Sequence, residues 1–180
     1  RKGNVIFLED VLVKAIEMVK EVIETKNPEL ENKGLVAKQV GVGAVIFNDL
    51  INDRVKNVDF DWERAVNFEG DSGPYVQYCQ VRCRSILKKY GKAPSANIVQ
   101  PLTSCEEREL VKILLAYDQT LVAAVKSFKP HILATYLLDV CRTFNHFYHK
   151  HRILGEEKEV ESARVSLVHA TQIVLEKGLG

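Results

Sequence analysis

The stretch Phe68-Glu69-Gly70-Asp71-Ser72-Gly73-Pro74-Tyr75-Val76-Gln77-Tyr78-Cys79-Gln80-Val81-Arg82-Cys83 holds the punctuation from which the rest of the chain is read. Gly70, Gly73 and Pro74 crowd a turn into five residues. Ser72 offers a hydroxyl to the free amides of a helix start, and Pro74 suits a first turn, where its missing N–H costs nothing. Beyond it Val76, Cys79, Cys83, Ile86, Leu87 and Tyr90 recur at three and four residues, the period of one helical face. Gly91 tolerates the left-handed backbone that ends a helix. We therefore divide the chain at this turn, into residues 1–70 and 71–180.

Working downstream, a polar loop spans Lys92 to Thr103. Ser104 and Glu107 form a capping box, so a helix starts at Cys105 and carries Leu110, Leu114 and Tyr117. A shorter helix holds Leu121, Val122, Val125 and Phe128. Pro130 ends it and opens another, on which Leu133, Tyr136, Leu137, Val140, Phe144, Phe147 and Tyr148 make a wide apolar face. Val160, Ala163, Leu167, Ala170, Val174 and Leu175 predict the last helix, with a stop at Gly178. Upstream, Val11, Leu12, Ala15, Val19, Val22 and Ile23 predict an amphipathic helix that Asn27-Pro28 ends. A second runs from Leu35 to Leu50 with Gly41 and Gly43 inside it. Such glycines cost helix propensity and return close approach of a neighbouring helix; Gly41-Val42-Gly43 lacks the third glycine and preceding strand of a dinucleotide fingerprint. Val55 to Phe60 reads as a short strand or extended connector, followed by a helical turn that Asp61 caps. The expected fold class is all-α: a bundle of about five helices over 71–180, preceded by a short helical connecting region.

Composition sets the class. In 180 residues, 46% are hydrophobic and 27% charged, so the chain buries a core without disulfides or metals. No apolar run reaches the length of a membrane span, since Glu9, Asp10, Lys14, Glu17 and Lys20 interrupt Val5 to Ile23. The four cysteines, Cys79, Cys83, Cys105 and Cys141, read as thiols of a reducing, cytoplasmic compartment. Cys79 and Cys83 share a helix face, but zinc needs two further ligands, and no metal is expected. The opening Arg1-Lys2-Gly3-Asn4 has neither an initiator methionine nor a signal stretch, which reads as a fragment or a processed chain.

The formal charge is +1, yet from Ser72 to Cys105 there are five basic residues (Arg82, Arg84, Lys88, Lys89, Lys92) and no acid. Tyr75, Tyr78 and Arg82 fall one turn apart along one side of that helix. Aromatic rings are stacking platforms for unpaired bases, and arginine makes bidentate contacts to phosphates or base edges. The alternative is a solvated face whose tyrosines dip into the core. The run Asn145-His146-Phe147-Tyr148-His149-Lys150-His151-Arg152 places His146 and His149 at a metal-compatible spacing without a carboxylate nearby in sequence, and reads as a solvated, dipole-compatible helix end. Neither a nucleophile elbow, a P-loop nor a zinc-protease pair occurs.

Asp61-Trp62-Glu63-Arg64 and the run from Phe68 to Leu87 closely resemble arginyl-tRNA synthetase, a class I family. Val40-Gly41-Val42-Gly43-Ala44-Val45 with Asp49-Leu50 is similar to that family's helix after the catalytic domain. Pro130-His131-Ile132-Leu133-Ala134-Thr135-Tyr136-Leu137-Leu138-Asp139, leading to Phe144-Asn145-His146-Phe147-Tyr148, is similar to its anticodon-binding bundle. The resemblance implies that residues 1–70 follow the ATP-signature loop and close the catalytic part, and that 71–180 form the anticodon-binding bundle. It also implies that Tyr75, Tyr78 and Arg82 meet the anticodon loop and that Lys2 brushes the edge of the ATP site; Arg84, Lys88 and Lys89 are expected to add nucleic-acid contacts from the positive charge of their helix, not from the resemblance. The partners implied are tRNA(Arg), with arginine and ATP serving the parent enzyme. The chain alone is expected to be inactive, as it lacks the ATP-binding strands and helices. The competing reading is a helical scaffold module without catalysis.

Overall fold

The computed structural model describes residues 7–56, 61–94 and 102–180. Lys2 and most of the segment expected to be a strand or connector lie outside these; Val55, at its start, sits in a turn. Among the described residues there are eight helices and no strand: α1 (Leu8–Lys26), α2 (Lys33–Leu50), α3 (Trp62–Ala65), α4 (Gly73–Tyr90), α5 (Cys105–Leu115), α6 (Tyr117–Ser127), α7 (His131–Lys150) and α8 (Lys158–Leu179). None is long and apolar enough to cross a membrane. The chain splits into two compact units, Arg1–Tyr75 and Val76–Gly180.

In the first unit α1 and α2 lie against each other through small residues. Ala15, Val19 and Ile23 from α1 bury with Ala37 and Ala44 from α2. A Cβ built on Gly41 would stand 2.8 Å from the Ile16 backbone, so glycine there sets how closely the helices approach. Asp61 caps α3 by accepting from the Arg64 amide at 3.2 Å. Gly73 is pinned in the same way, its Cβ position 2.8 Å from Cβ of Phe47. Ser72 caps α4: its Oγ accepts from the Tyr75 amide at 3.2 Å and its hydroxyl donates to the Asn67 carbonyl.

The second unit is built around α7, whose Ala134, Leu137, Leu138, Val140, Cys141, Phe144 and Phe147 are buried. Gly91 takes φ +67° just beyond α4, as a helix-ending glycine should. Three expectations need correction. The helix expected from Cys105 through Tyr117 breaks at Ala116, which ends α5 and opens α6; its amide turns back to the Ile113 carbonyl, a tightened last turn that periodicity does not reveal. Of Leu121, Val122, Val125 and Phe128, expected on the shorter helix, Phe128 falls just beyond α6, where its left-handed backbone (φ +55°) caps the end; all four are exposed, and only Ala124 of α6 is buried. Gly178 does not stop α8, which continues to Leu179. Inside the helix, a Cβ at this position would stand 2.5 Å from Cδ2 of Leu137, so glycine there leaves room for that side chain.

Candidate nucleic-acid interface

Within the second unit α4 turns Cys79 and Cys83 inward, fully buried beside Cys141 of α7. The Cys141 and Cys83 thiols both donate to the Cys79 sulfur, which holds the Cys79 thiol below its ordinary value; the same contacts and burial push the other two up. No disulfide joins the three. Among the described residues no group of histidine, cysteine, aspartate or glutamate side chains is arranged to hold a metal ion.

One turn beyond Cys79 the same helices bring polar groups together. Arg82 donates from Nη1 to Oδ1 of Asn145 at 2.6 Å. Its guanidinium carbon lies 4.9 Å from the centroid of the Tyr78 ring and 5.2 Å from that of Tyr148. Both tyrosines are exposed, by 49% and 37%, so each keeps ring surface for a ligand. Tyr148 is braced from below, stacked on buried Phe144 at 6.1 Å and 24°. A cation over exposed aromatic faces, held on two packed helices, is a rigid surface with stacking area and several N–H donors.

The basic residues of α4 separate around the helix. At about 100° per residue, Lys89 falls within about 20° of Arg82, whereas Lys88 is about 120° and Arg84 about 160° away. Lys88 and Lys89 are exposed, with no ion pair among the described residues. Arg84 is taken up elsewhere, its Nη2 donating at 2.7 Å to Glu176 of α8, which Gln172 also holds. Tyr75, at the head of α4, is half-buried and belongs to the first unit. Sequence spacing places Tyr148 only on the apolar face of its helix and gives Asn145 no role. The available signal was the spacing of Asn145 and Tyr148 on α7, one turn apart, but nothing local says that they meet α4, 63 residues earlier for the Arg82–Asn145 pair.

The histidine-rich end of α7 gains the carboxylate that its sequence neighbourhood lacks. Glu106, on the first turn of α5, lies 3.3 Å from Nε2 of His151 and 3.8 Å from Nε2 of His146. Its own backbone amide, then the His151 contact, hold the Glu106 carboxyl below its ordinary value. Beside it Glu107 completes the capping box, accepting from the Thr103 and Ser104 amides at 3.1 and 3.0 Å. It also accepts from Nε of Arg164 at 2.9 Å, while Arg164 reaches the Arg152 carbonyl at 2.8 Å. Burial pushes the Glu107 carboxyl up, but the hydrogen bonds from Arg164 and Ser104 outweigh it and leave the group below the ordinary carboxylate value. This network ties α5, the end of α7 and α8 together, and is structural.

Residues 76–180 match the family of the DALR anticodon binding domain. The chain belongs to that family. Residues 1–62 match the catalytic domain of the class I tRNA synthetases of the arginine type, so the DALR unit follows a segment related to an arginyl-tRNA synthetase catalytic domain. Arginine-tRNA ligase of Halothermothrix orenii is 44% identical over 180 residues, covering 99% of this chain and 32% of its own length. That of Clostridioides difficile is 42% identical with the same coverage. Among solved structures, Thermus thermophilus arginyl-tRNA synthetase superposes with a TM-score of 0.92 at 32% identity, over 99% of this chain and 31% of that one. The chain spans about a third of the length of the curated relatives that it matches.

Proposed function

We propose that this chain is the tRNA-holding part of an arginine-tRNA ligase, in which residues 71–180 bind the anticodon region of tRNA(Arg) and residues 1–70 link them to the catalytic part. The observation that carries the reading is the exposed Tyr78–Arg82–Tyr148 cluster, placed by Asn145 on the unit that belongs to the DALR family. Unstacked loop bases are bound on aromatic faces and by guanidinium donors. Tyr75 extends the same helix toward its start, Lys89 adds positive potential beside Arg82, and Lys88 and Arg84 add to the basic character of α4 more remotely. ATP, arginine and the chemistry of ester formation belong to the rest of such an enzyme, with Lys2 at the edge of the ATP site, and no metal is required of this chain. The parent works in the cytoplasm, where its tRNA is. These 180 residues alone neither activate arginine nor charge tRNA.

Competition tests the reading against that of a scaffold module. Labelled tRNA(Arg) bound to the chain is challenged with an RNA hairpin of its anticodon arm and with a hairpin of its acceptor stem. Displacement by the first and not the second is expected; equal displacement by both, or no tRNA binding, contradicts it.

A further inference from the structure

Arg82 has five N–H hydrogens on a planar fork, and how they point decides which acceptors they meet. An arginine on a helix surface ordinarily samples many rotamers and loses their entropy when it binds. Here the Nη1 hydrogen bond to Asn145 is short, 2.6 Å, and charge-assisted bonds of this kind are about twice as strong as neutral ones. The Tyr78 and Tyr148 rings restrain the guanidinium from its faces. Asn145 is itself half-buried on α7, the helix with the most buried core of the unit, so its amide is held by a rigid element.

We infer that Asn145 is a positioning residue: it fixes the Arg82 fork before any ligand arrives, so that the remaining N–H groups present donors to the acceptor edge of an unstacked base or to a phosphate beside it. The inference rests on the reading of this face as the RNA-binding surface. Asn145 need not touch the RNA, and acts through Arg82. Such preorganisation transfers the ordering cost of the side chain from the binding step to folding.

Two measurements keep the inference separable from the reading beneath it. The first needs no RNA. In ¹⁵N-labelled protein the Arg82 guanidinium should show restricted rotation about Nε–Cζ, with resolved Nη signals, and Asn145→Ala should average them while the backbone spectrum outside that turn stays in place. The second is a double-mutant cycle on tRNA(Arg) affinity with Arg82→Ala, Asn145→Ala and both together, circular dichroism serving as the folding control. Arg82→Ala should weaken binding by about tenfold or more, the loss of at least one charge-assisted hydrogen bond, and Asn145→Ala by about three- to tenfold, the cost of ordering one long side chain at the binding step. The double change should weaken it no further than Arg82→Ala. If Asn145→Ala leaves both the Arg82 signals and the affinity unchanged while Arg82→Ala weakens binding, the positioning role is wrong and the binding surface stands. If the Arg82 signals respond to Asn145→Ala but neither change alters affinity, the binding surface itself is wrong. Additive losses overturn the role as well, because they mean that Asn145 acts on the RNA directly.

Discussion

Arg82 illustrates how a surface side chain acquires a defined direction from partners that are distant in sequence. Its helical spacing from Tyr78 is local, and that much follows from the period of α4. Asn145 and Tyr148 reach it only through the packing of α7, which the sequence cannot specify by spacing; Tyr148 read as part of the core because it sits on the edge of the apolar stripe, where burial and exposure meet. The same geometry refines what each basic residue should do. Lys89 shares the Arg82 side of α4 and Lys88 does not. Lys89→Ala should therefore weaken all tRNAs alike and reduce the salt slope of binding by about one, as for one lost phosphate contact, whereas Lys88→Ala should leave the slope within error. Titration across salt concentrations checks this, and a reversed order contradicts the placement. Tyr78→Ala should cost about 1 to 3 kcal/mol of binding with little change in slope, as for one lost base stack.

Helices were the most legible level. The capping residues Asp61, Ser72 and Ser104, the glycine after α4 and the proline before α7 all act as local chemistry dictates, because their partners lie within a few residues. Helix ends are less legible where the backbone or a tertiary neighbour decides them: Gly178 looks like a stop but lies inside α8 against Leu137, and α6 ends at Ser127 because Phe128 takes a left-handed backbone. Two expectations belong to this scale. Gly41→Ala should lower the melting temperature, at a cost of about 1 to 3 kcal/mol, because its methyl meets backbone at 2.8 Å and α1 must retreat. Gly34, also in α2, has nothing within 4 Å, so Gly34→Ala should stabilise by up to about 1 kcal/mol. Equal signs for the two would remove close helix approach as the reason for Gly41. Glu107→Gln tests the network of α5, α7 and α8. A depressed carboxyl contributes stability that is present above its unfolded value, about 4.3, and is lost as pH falls through the lower folded value. Wild type should lose stability through that acid range, and the variant should be less stable by about 1 to 3 kcal/mol near neutrality with a flatter acid limb in thermal melts.

Over the whole molecule the turn from Phe68 to Pro74 organises the sequence, and the contacts divide into the units Arg1–Tyr75 and Val76–Gly180. The second contains its own buried core along α7 and α8, so we expect it to fold on its own. Residues 70–180 expressed alone should give a helical circular dichroism spectrum and one cooperative thermal transition; a weak, non-cooperative signal would show that the first unit is needed. All-α architecture is readable because helical periods and caps are local, whereas the proposed binding face is readable only in part, through α4. The face proposed to read the anticodon loop can be tested on the whole chain. The most direct measurement is the affinity of the 180-residue chain for tRNA(Arg) and for the same transcript with its anticodon nucleotides exchanged, at one salt concentration. Binding should be at least about tenfold weaker for the exchanged transcript, the discrimination that one base-directed contact supplies; equal affinity for the two would rule out anticodon reading by this face.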